Sequence, residues 1–230
     1  MPNKGLIFLN GFYDHRQPDF YRLEADKFGQ AGWLVAADGA LVHLDKLGIK
    51  PQVLLGDLDS CPAALLTKYH NLLLVRYPPQ KDYTDGELAV RYCLSRGCRQ
   101  IQLTGALDRG SEPDQMLGNL GLLVLGQRLA RQKKLACFEI SIKEPDQEIY
   151  YLDHTDLALP TRQDSLVSII PLAQRNWVKY QGFAYPPSGE QVLLRFGQSK
   201  GLRNRIVQPQ ARLEVQGRAW VVVHGGVGED

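Results

Sequence analysis

Four aspartates in two short clusters are the residues of this 230-residue chain whose types and spacing best suit chemistry. Asp57 and Asp59 stand in Gly56-Asp57-Leu58-Asp59-Ser60, directly after the apolar run Val53-Leu54-Leu55. Two apart in extended chain they face the same way, and paired hard oxygen donors suit Mg²⁺ better than zinc or copper. Asp82 and Asp85 stand in Lys81-Asp82-Tyr83-Thr84-Asp85-Gly86-Glu87, where a loop leads into an apolar-periodic helix. Three apart at a helix entrance they can share one face, and Lys81 offers a point charge to phosphate. Held together, four carboxylates would raise one another's pKa and destabilise the fold unless a divalent cation neutralised them. A metal–phosphate site is therefore one reading. The other is a strand-ending turn and, separately, a solvated helix start, because Gly, Asp, Ser and Thr favour such positions anyway.

The elements that must position these residues read as alternating strands and helices. Gly5 to Leu9, Gly32 to Ala37, Val53 to Leu55, Leu72 to Val75 and Arg99 to Thr104 are short apolar runs ending at turn formers, the pattern of buried parallel strands. Helical stretches fall between them, at Phe20 to Phe28, Leu41 to Leu47, Pro62 to Tyr69 with Ser60 as N-cap, and up to about Leu94. A polar loop, Asp108 to Gln115, precedes a helix over Met116 to Leu129. The run ending at Asp38-Gly39 repeats the acidic strand end of Asp57. In open α/β sheets that end is where ligands sit.

Beyond Lys134 the texture changes to short runs rich in β-branched and aromatic residues, starting at Ala136 to Ile142 and continuing to Ala219 to His224. That is the pattern of an antiparallel sandwich. We therefore expect a mostly parallel three-layer α/β domain over 1–153 and a C-terminal antiparallel β-sandwich over 154–230, joined by a polar stretch near Asp153 to Asp164.

Composition narrows the function classes. The hydrophobic fraction of 44% and charged fraction of 23% are those of an ordinary folded protein, and the net charge of +2 argues against a dedicated nucleic-acid binder. Four cysteines without CxxC or zinc spacing read as reduced thiols of a cytoplasmic protein, with Cys137 in the core. No long apolar span or leader-like segment calls for membrane insertion or secretion. The histidines form no ligand spacing. Gly197-Gln198-Ser199-Lys200-Gly201 matches a nucleophile elbow, but a β-rich tail follows where that motif needs a helix.

Taken in order, Asp38-Gly39, Gly56-Asp57-Leu58-Asp59-Ser60, Lys81-Asp82-Tyr83-Thr84-Asp85-Gly86-Glu87, Asp114-Gln115-Met116-Leu117-Gly118-Asn119, Gly182-Phe183-Ala184-Tyr185-Pro186 and Ser199-Lys200-Gly201-Leu202-Arg203-Asn204 resemble the thiamine pyrophosphokinase family over nearly the whole chain. The resemblance implies transfer of the diphosphoryl group of ATP to the hydroxyl of thiamine, giving thiamine diphosphate and AMP, with Mg²⁺ as cofactor and a homodimer as the assembly. It implies that Asp57, Asp59, Asp82 and Asp85 are catalytic and hold the metal. Asp38, Gly39, Ser60, Lys81, Thr84, Arg109, Asp114 and Gln115 would surround the nucleotide or diphosphate, and Tyr185, Ser199 and Asn204 would bind thiamine. Two places depart from the family's usual pattern: Gln115 stands where histidine is usual, and Arg203 where serine is usual. Such changes bear on the acceptor, so a diphosphokinase for another small primary alcohol such as a hydroxymethylpterin, or an inactive nucleotide-binding module, are the rival expectations.

Overall fold

The computed structural model describes residues 3–78, 80, 82–107, 112–160, 163–186 and 190–225. Lys81 and Arg109 lie outside them. The fold is mixed α/β, and the chain divides into two compact units, Met1–Pro145 and Asp146–Asp230.

The first unit alternates β1 (Lys4–Phe8), α1 (Pro18–Gly29), β2 (Gly32–Ala37), α2 (Ala40–Leu47), β3 (Val53–Gly56), α3 (Ala63–Lys68), β4 (Leu73–Arg76), α4 (Asp85–Ser95), β5 (Gln100–Thr104), α5 (Pro113–Gln132) and β6 (Glu139–Lys143). Its strands pair in parallel in the order β6-β5-β1-β2-β3-β4. The inner strands are buried on both faces, which is why they read as continuous apolar runs. Alternate residues serve opposite layers. Leu6, Phe8, Leu34, Ala36 and Leu54 share one core with Tyr21, Ala25 and Phe28 of α1 and Leu41, Leu44 and Leu47 of α2. The α4–α5 pair packs against the same sheet, where a side chain at Gly86 would collide with Leu122 and one at Gly126 with Ile140. From β1 the chain steps outward through β2, β3 and β4, then returns to place β5 on the other side of β1. That reversal opens a crevice at the carboxyl ends of the strands.

One buried polar cluster ties this unit together. Lys143 Nζ donates to Glu24 Oε1 at 2.8 Å, and Gln102 Nε2 donates to Glu24 Oε2 at 2.9 Å. Burial pushes the Glu24 carboxyl up, but the donors from Lys143 and Gln102 outweigh it and hold the carboxyl below its ordinary value of 4.5. A depressed carboxylate contributes stability above its unfolded pKa and loses it as pH falls through the folded one. Glu24→Gln is therefore expected to flatten the loss of stability below pH 4.5, measured by denaturant titration at a series of pH values.

The second unit is antiparallel throughout its described pairings. It comprises β7 (Gln147–Pro160), β8 (Leu166–Pro171), β9 (Asn176–Gln181), β10 (Gln191–Leu194), β11 (Asn204–Arg205) and β12 (Gln210–His224). β12 runs beside β7 for nearly its whole length, while its other edge pairs first with β9 and then with β8. The change of partner falls at a bulge between Val215 and Arg218, where Gly217 takes a φ of 143°. Asn176, fully buried on β9, closes the bulge by accepting from the Arg218 N–H at 2.7 Å. The alternating burial along β12 and β9 packs Leu213, Val215, Val221, Val178 and Tyr180 into one core. The six strands thus form one hydrogen-bonded network, which β12 links by passing from β9 to β8.

Several local expectations change. The units divide after Pro145, upstream of the boundary expected at Asp153, because the polar stretch Asp153 to Asp156 continues β7 and finds partners along β12. The run Ala136 to Ile142 is not part of the antiparallel texture, since β6 begins at Glu139 and pairs in parallel with β5. Cys137 is exposed and left-handed, with φ 55°, because it sits in the turn before β6. Ser60 does not cap α3; Pro62 occupies that position, and the Ser60 hydroxyl donates to Asp59 instead.

Candidate active site

Turns at the carboxyl edge of the parallel sheet bring the acidic strand ends together. The β2 chain ends at Asp38, whose N–H donates to the Leu55 carbonyl at 2.8 Å while its backbone turns left-handed, φ 42°. Asparagine and aspartate tolerate that conformation better than most residues. Gly56 ends β3 with φ 144°, and a side chain there would lie 3.0 Å from Asp38 Cβ and 3.2 Å from Asp85 Oδ1. The missing Cβ is what allows the two acidic segments to approach. Beyond it, Leu58 is left-handed at φ 67° and buried, and the intervening turn carries Asp57 and Asp59 past the sheet edge.

Carboxylate oxygens of Asp38, Asp57 and Asp59 lie within 4.8 Å of one another. Asp38 is 7% exposed, and its Oδ1 is buried with no hydrogen-bond partner. A buried acceptor in that condition is costly unless something positive completes it. Burial, and then the Asp38 charge, push the neighbouring Cys61 thiol above its usual range. Three hard oxygen donors with one acceptor unmet fit a Mg²⁺-like cation.

The cluster opens into a cavity of about 410 Å³, which Ser60, Thr84, Asp85 and Gln115 also line. Thr84 caps α4, its hydroxyl accepting the Glu87 N–H at 3.2 Å. Thr84→Ala is expected to cost about 1 kcal/mol through the lost cap, which a thermal melt would read as a fall of roughly 2–4 °C.

The expected set is thus partly assembled. Asp57, Asp59 and Asp85 reach the cavity, as do Asp38, Ser60, Thr84 and Gln115. Asp82 and Asp114 are exposed and are not among the described residues that line it, while Gly39 is the N-cap of α2, against the Asn10 side chain. Sequence reasoning overlooked Asn10, Glu112 and Asn119, which also face the cavity. Asn10 follows β1 directly, so its place at a strand's carboxyl end was the signal for it.

In the second unit the Tyr185 ring is 66% exposed. The Tyr185 N–H donates to Asn204 Oδ1 at 3.2 Å, and Asn204 Nδ2 donates back to the Tyr185 carbonyl. Asn204 thereby spends its amide on holding the Tyr185 backbone. Ser199 is exposed in a turn, and no helix follows it among the described residues, which removes the nucleophile-elbow geometry.

Residues 26–136 match the family model described as thiamin pyrophosphokinase, catalytic domain. Every aspartate of the cluster lies within that stretch. This segment belongs to the thiamin pyrophosphokinase family. Solved structures agree in fold across the whole chain. Thiamine pyrophosphokinase from Bacillus subtilis superposes with a TM-score of 0.77 at 18% identity, covering 97% of this chain and 99% of that one. The Geobacillus thermodenitrificans thiamin pyrophosphokinase gives 0.76 at 21% identity, with 98% and 99% covered. Yeast thiamin pyrophosphokinase gives 0.72 at 16% identity, with 97% and 86% covered. No curated protein matches the sequence of the chain.

Proposed function

We propose that the protein transfers the diphosphoryl group of ATP to the hydroxyl of thiamine, releasing AMP. The observation that carries this reading is the unpartnered, buried Oδ1 of Asp38 beside Asp57 and Asp59, inside the segment that matches the family's catalytic domain. Such a transfer asks for charge neutralisation and in-line positioning rather than a covalent nucleophile. The thiamine oxygen attacks the β-phosphorus, the bond to the α–β bridging oxygen breaks, and that oxygen leaves on AMP while the hydroxyl proton is released.

Asp38, Asp57 and Asp59 would hold Mg²⁺, which when bound neutralises polyphosphate charge. Asp85 adds a fourth carboxylate at the cavity wall, and the Ser60 and Thr84 hydroxyls offer hydrogen bonds to phosphate oxygens. Gly56 keeps the floor free of a side chain. On the acceptor side, the exposed Tyr185 ring supplies a stacking surface for thiamine, with Asn204 positioning it through the main chain and Ser199 nearby in sequence. Incubation with Mg-ATP and a panel of alcohols that includes thiamine and a hydroxymethylpterin tests the reading. AMP and thiamine diphosphate are expected. ADP instead of AMP, or AMP formed only with the pterin, would overturn it.

We place the protein in the cytoplasm as a homodimer. Among the described residues no helix is long and apolar enough to cross a membrane, and no cysteine is disulfide-bonded. Tyr185, Phe196, Leu202 and Val207 leave large apolar side chains exposed on the second unit, which supports self-association. Sedimentation under assay conditions is expected to show two chains per active particle; full activity in a monomer would refute the dimer.

A further inference from the structure

Glu144, the residue after β6, is a buried carboxylate, 6% exposed, that does not itself line the carboxylate cavity. Its oxygens grip one turn. Oε1 accepts the Ala106 N–H at 3.0 Å, and Oε2 accepts the Thr104 hydroxyl at 3.3 Å. The β5–β6 pairing stops at Leu103 and Ile142, so past that point the Glu144 side chain takes the place of a neighbouring strand. Asn119 of α5 donates its Nδ2 to the Ala106 carbonyl at 2.8 Å. The N–H and the carbonyl of Ala106 are thus each held by a buried side chain, one from the end of β6 and one from α5.

That turn lies where two chain exits run together. Beyond the sheet edge the Leu9, Gly11 and Phe12 N–H groups donate to the carbonyls of Thr104, Gly105 and Leu107 at 2.9, 2.9 and 3.1 Å. The exits approach so closely that a side chain at Gly11 would lie 2.4 Å from the Gly105 oxygen. Burial, and then the Glu144 charge, push the Tyr13 hydroxyl well above its ordinary pKa, so it remains a donor and holds the Leu9 carbonyl at 2.8 Å. Asn10 stands between these bonded positions, and Gln115 lies one helical turn before Asn119 on the same face of α5. Asn10, Gln115 and Asn119 are the amide side chains among the described residues that line the carboxylate cavity. Their spacing depends on the Ala106 turn, and the turn depends on Glu144.

We propose that Glu144 is a positioning residue for the transfer, fixing the Ala106 turn and through it the places of the three amides on the cavity wall. The assignment rests on the diphosphoryl-transfer reading given above. The role belongs to the reach and acceptor capacity of the side chain rather than to its charge. Glutamine reaches as far, its Oε1 can accept the Ala106 N–H, and the Thr104 hydroxyl can turn to accept from its Nε2. Aspartate keeps the charge but is one methylene short. No motif exposes the residue, because Glu144 stands 38 positions from the N–H it holds.

Steady-state turnover of the full chain with Mg-ATP and thiamine, read beside amide exchange at Ala106, tests this in Glu144→Asp, Glu144→Gln and Glu144→Ala. The Asp and Ala variants are expected to lower kcat by about tenfold or more, the cost of misplacing groups that position a reaction, while KM for ATP stays within about threefold. Their Ala106 amide should exchange faster than in the parent. The rise in melting temperature on adding Mg²⁺ should match the parent's, because Asp38, Asp57 and Asp59 follow β2 and β3, across β1 from this turn. Glu144→Gln should recover kcat to within about threefold of the parent and keep the amide protected. If Glu144→Ala fails to fold, the Asp and Gln variants decide the matter. Unchanged kcat in the Asp variant, equal losses in Asp and Gln, or a weakened Mg²⁺ response alongside the loss of kcat would overturn the positioning role. An unaltered chain that forms no AMP would overturn the transfer reading itself, an outcome separate from the comparison of variants.

Discussion

Replacing Asp38 with asparagine is expected to abolish AMP formation from ATP and thiamine while raising the melting temperature of the metal-free protein. Asparagine keeps the shape of the side chain and tolerates the left-handed backbone at this position, φ 42°. What changes is charge. Asp38 is the buried member of three carboxylates within 4.8 Å of one another, so neutralising it relieves repulsion in the resting fold. The same substitution removes a charged donor from the site that would hold the cation. A fall in turnover of about a hundredfold or more is expected, roughly 2.7 kcal/mol in the barrier. Calorimetric melts with and without Mg²⁺ check the other half: added Mg²⁺ should stabilise the parent and leave the variant nearly unmoved. Retained turnover, or an equal Mg²⁺ response in both proteins, would remove Asp38 from the site.

Gly56→Ala is expected to damage the site almost as severely, through space rather than charge. The new methyl would stand 3.0 Å from Asp38 Cβ and 3.2 Å from Asp85 Oδ1, and the φ of 144° is one that side-chain-bearing residues rarely adopt. Asp38 Cβ is anchored to its backbone and cannot swing aside. The backbone penalty is about 1–3 kcal/mol, and the displaced carboxylates should lower turnover by about tenfold or more, since small misplacements in positioning sites are costly. Gly48→Ala provides the control. Gly48 is also left-handed, φ 70°, but nothing lies within 4 Å of a Cβ built there. It should lose stability without losing turnover. Parallel losses of turnover in both variants would mean that strain alone, and not crowding of the carboxylates, explains Gly56.

The α/β unit was legible because parallel strands buried on both faces leave continuous apolar runs, as at Val53 to Leu55, and because Asp38 and Asp57 announce strand ends facing a crevice. The carboxylate cluster was only half legible. Asp57 and Asp59 share a turn, but Asp38 joins them through β2–β3 pairing, a tertiary relation that local spacing does not carry. Asp82 looked equivalent to Asp85 on charge, yet only Asp85 is fixed in the first turn of α4 and turned to the cavity. The start of α5 was placed late because Pro113 reads as a loop residue, although proline is well suited to a first helical turn. β7 was cut short for a related reason. Asp153-His154-Thr155-Asp156 looks like a linker until its partners on β12 are known.

The position of β12 within its unit has a consequence for how the polypeptide is made. It is the last described strand to leave the ribosome, yet β7, β8 and β9 all take it as a hydrogen-bonding neighbour. Until residues 210–224 have emerged, those three strands present open edges and the core around Val178 and Ile169 lacks Leu213, Val215 and Val221. The parallel sheet, by contrast, is complete once Lys143 has been added. Nascent chains should therefore pass through an interval in which a finished α/β unit carries an unfinished antiparallel one, the state in which unpaired strand edges invite aggregation.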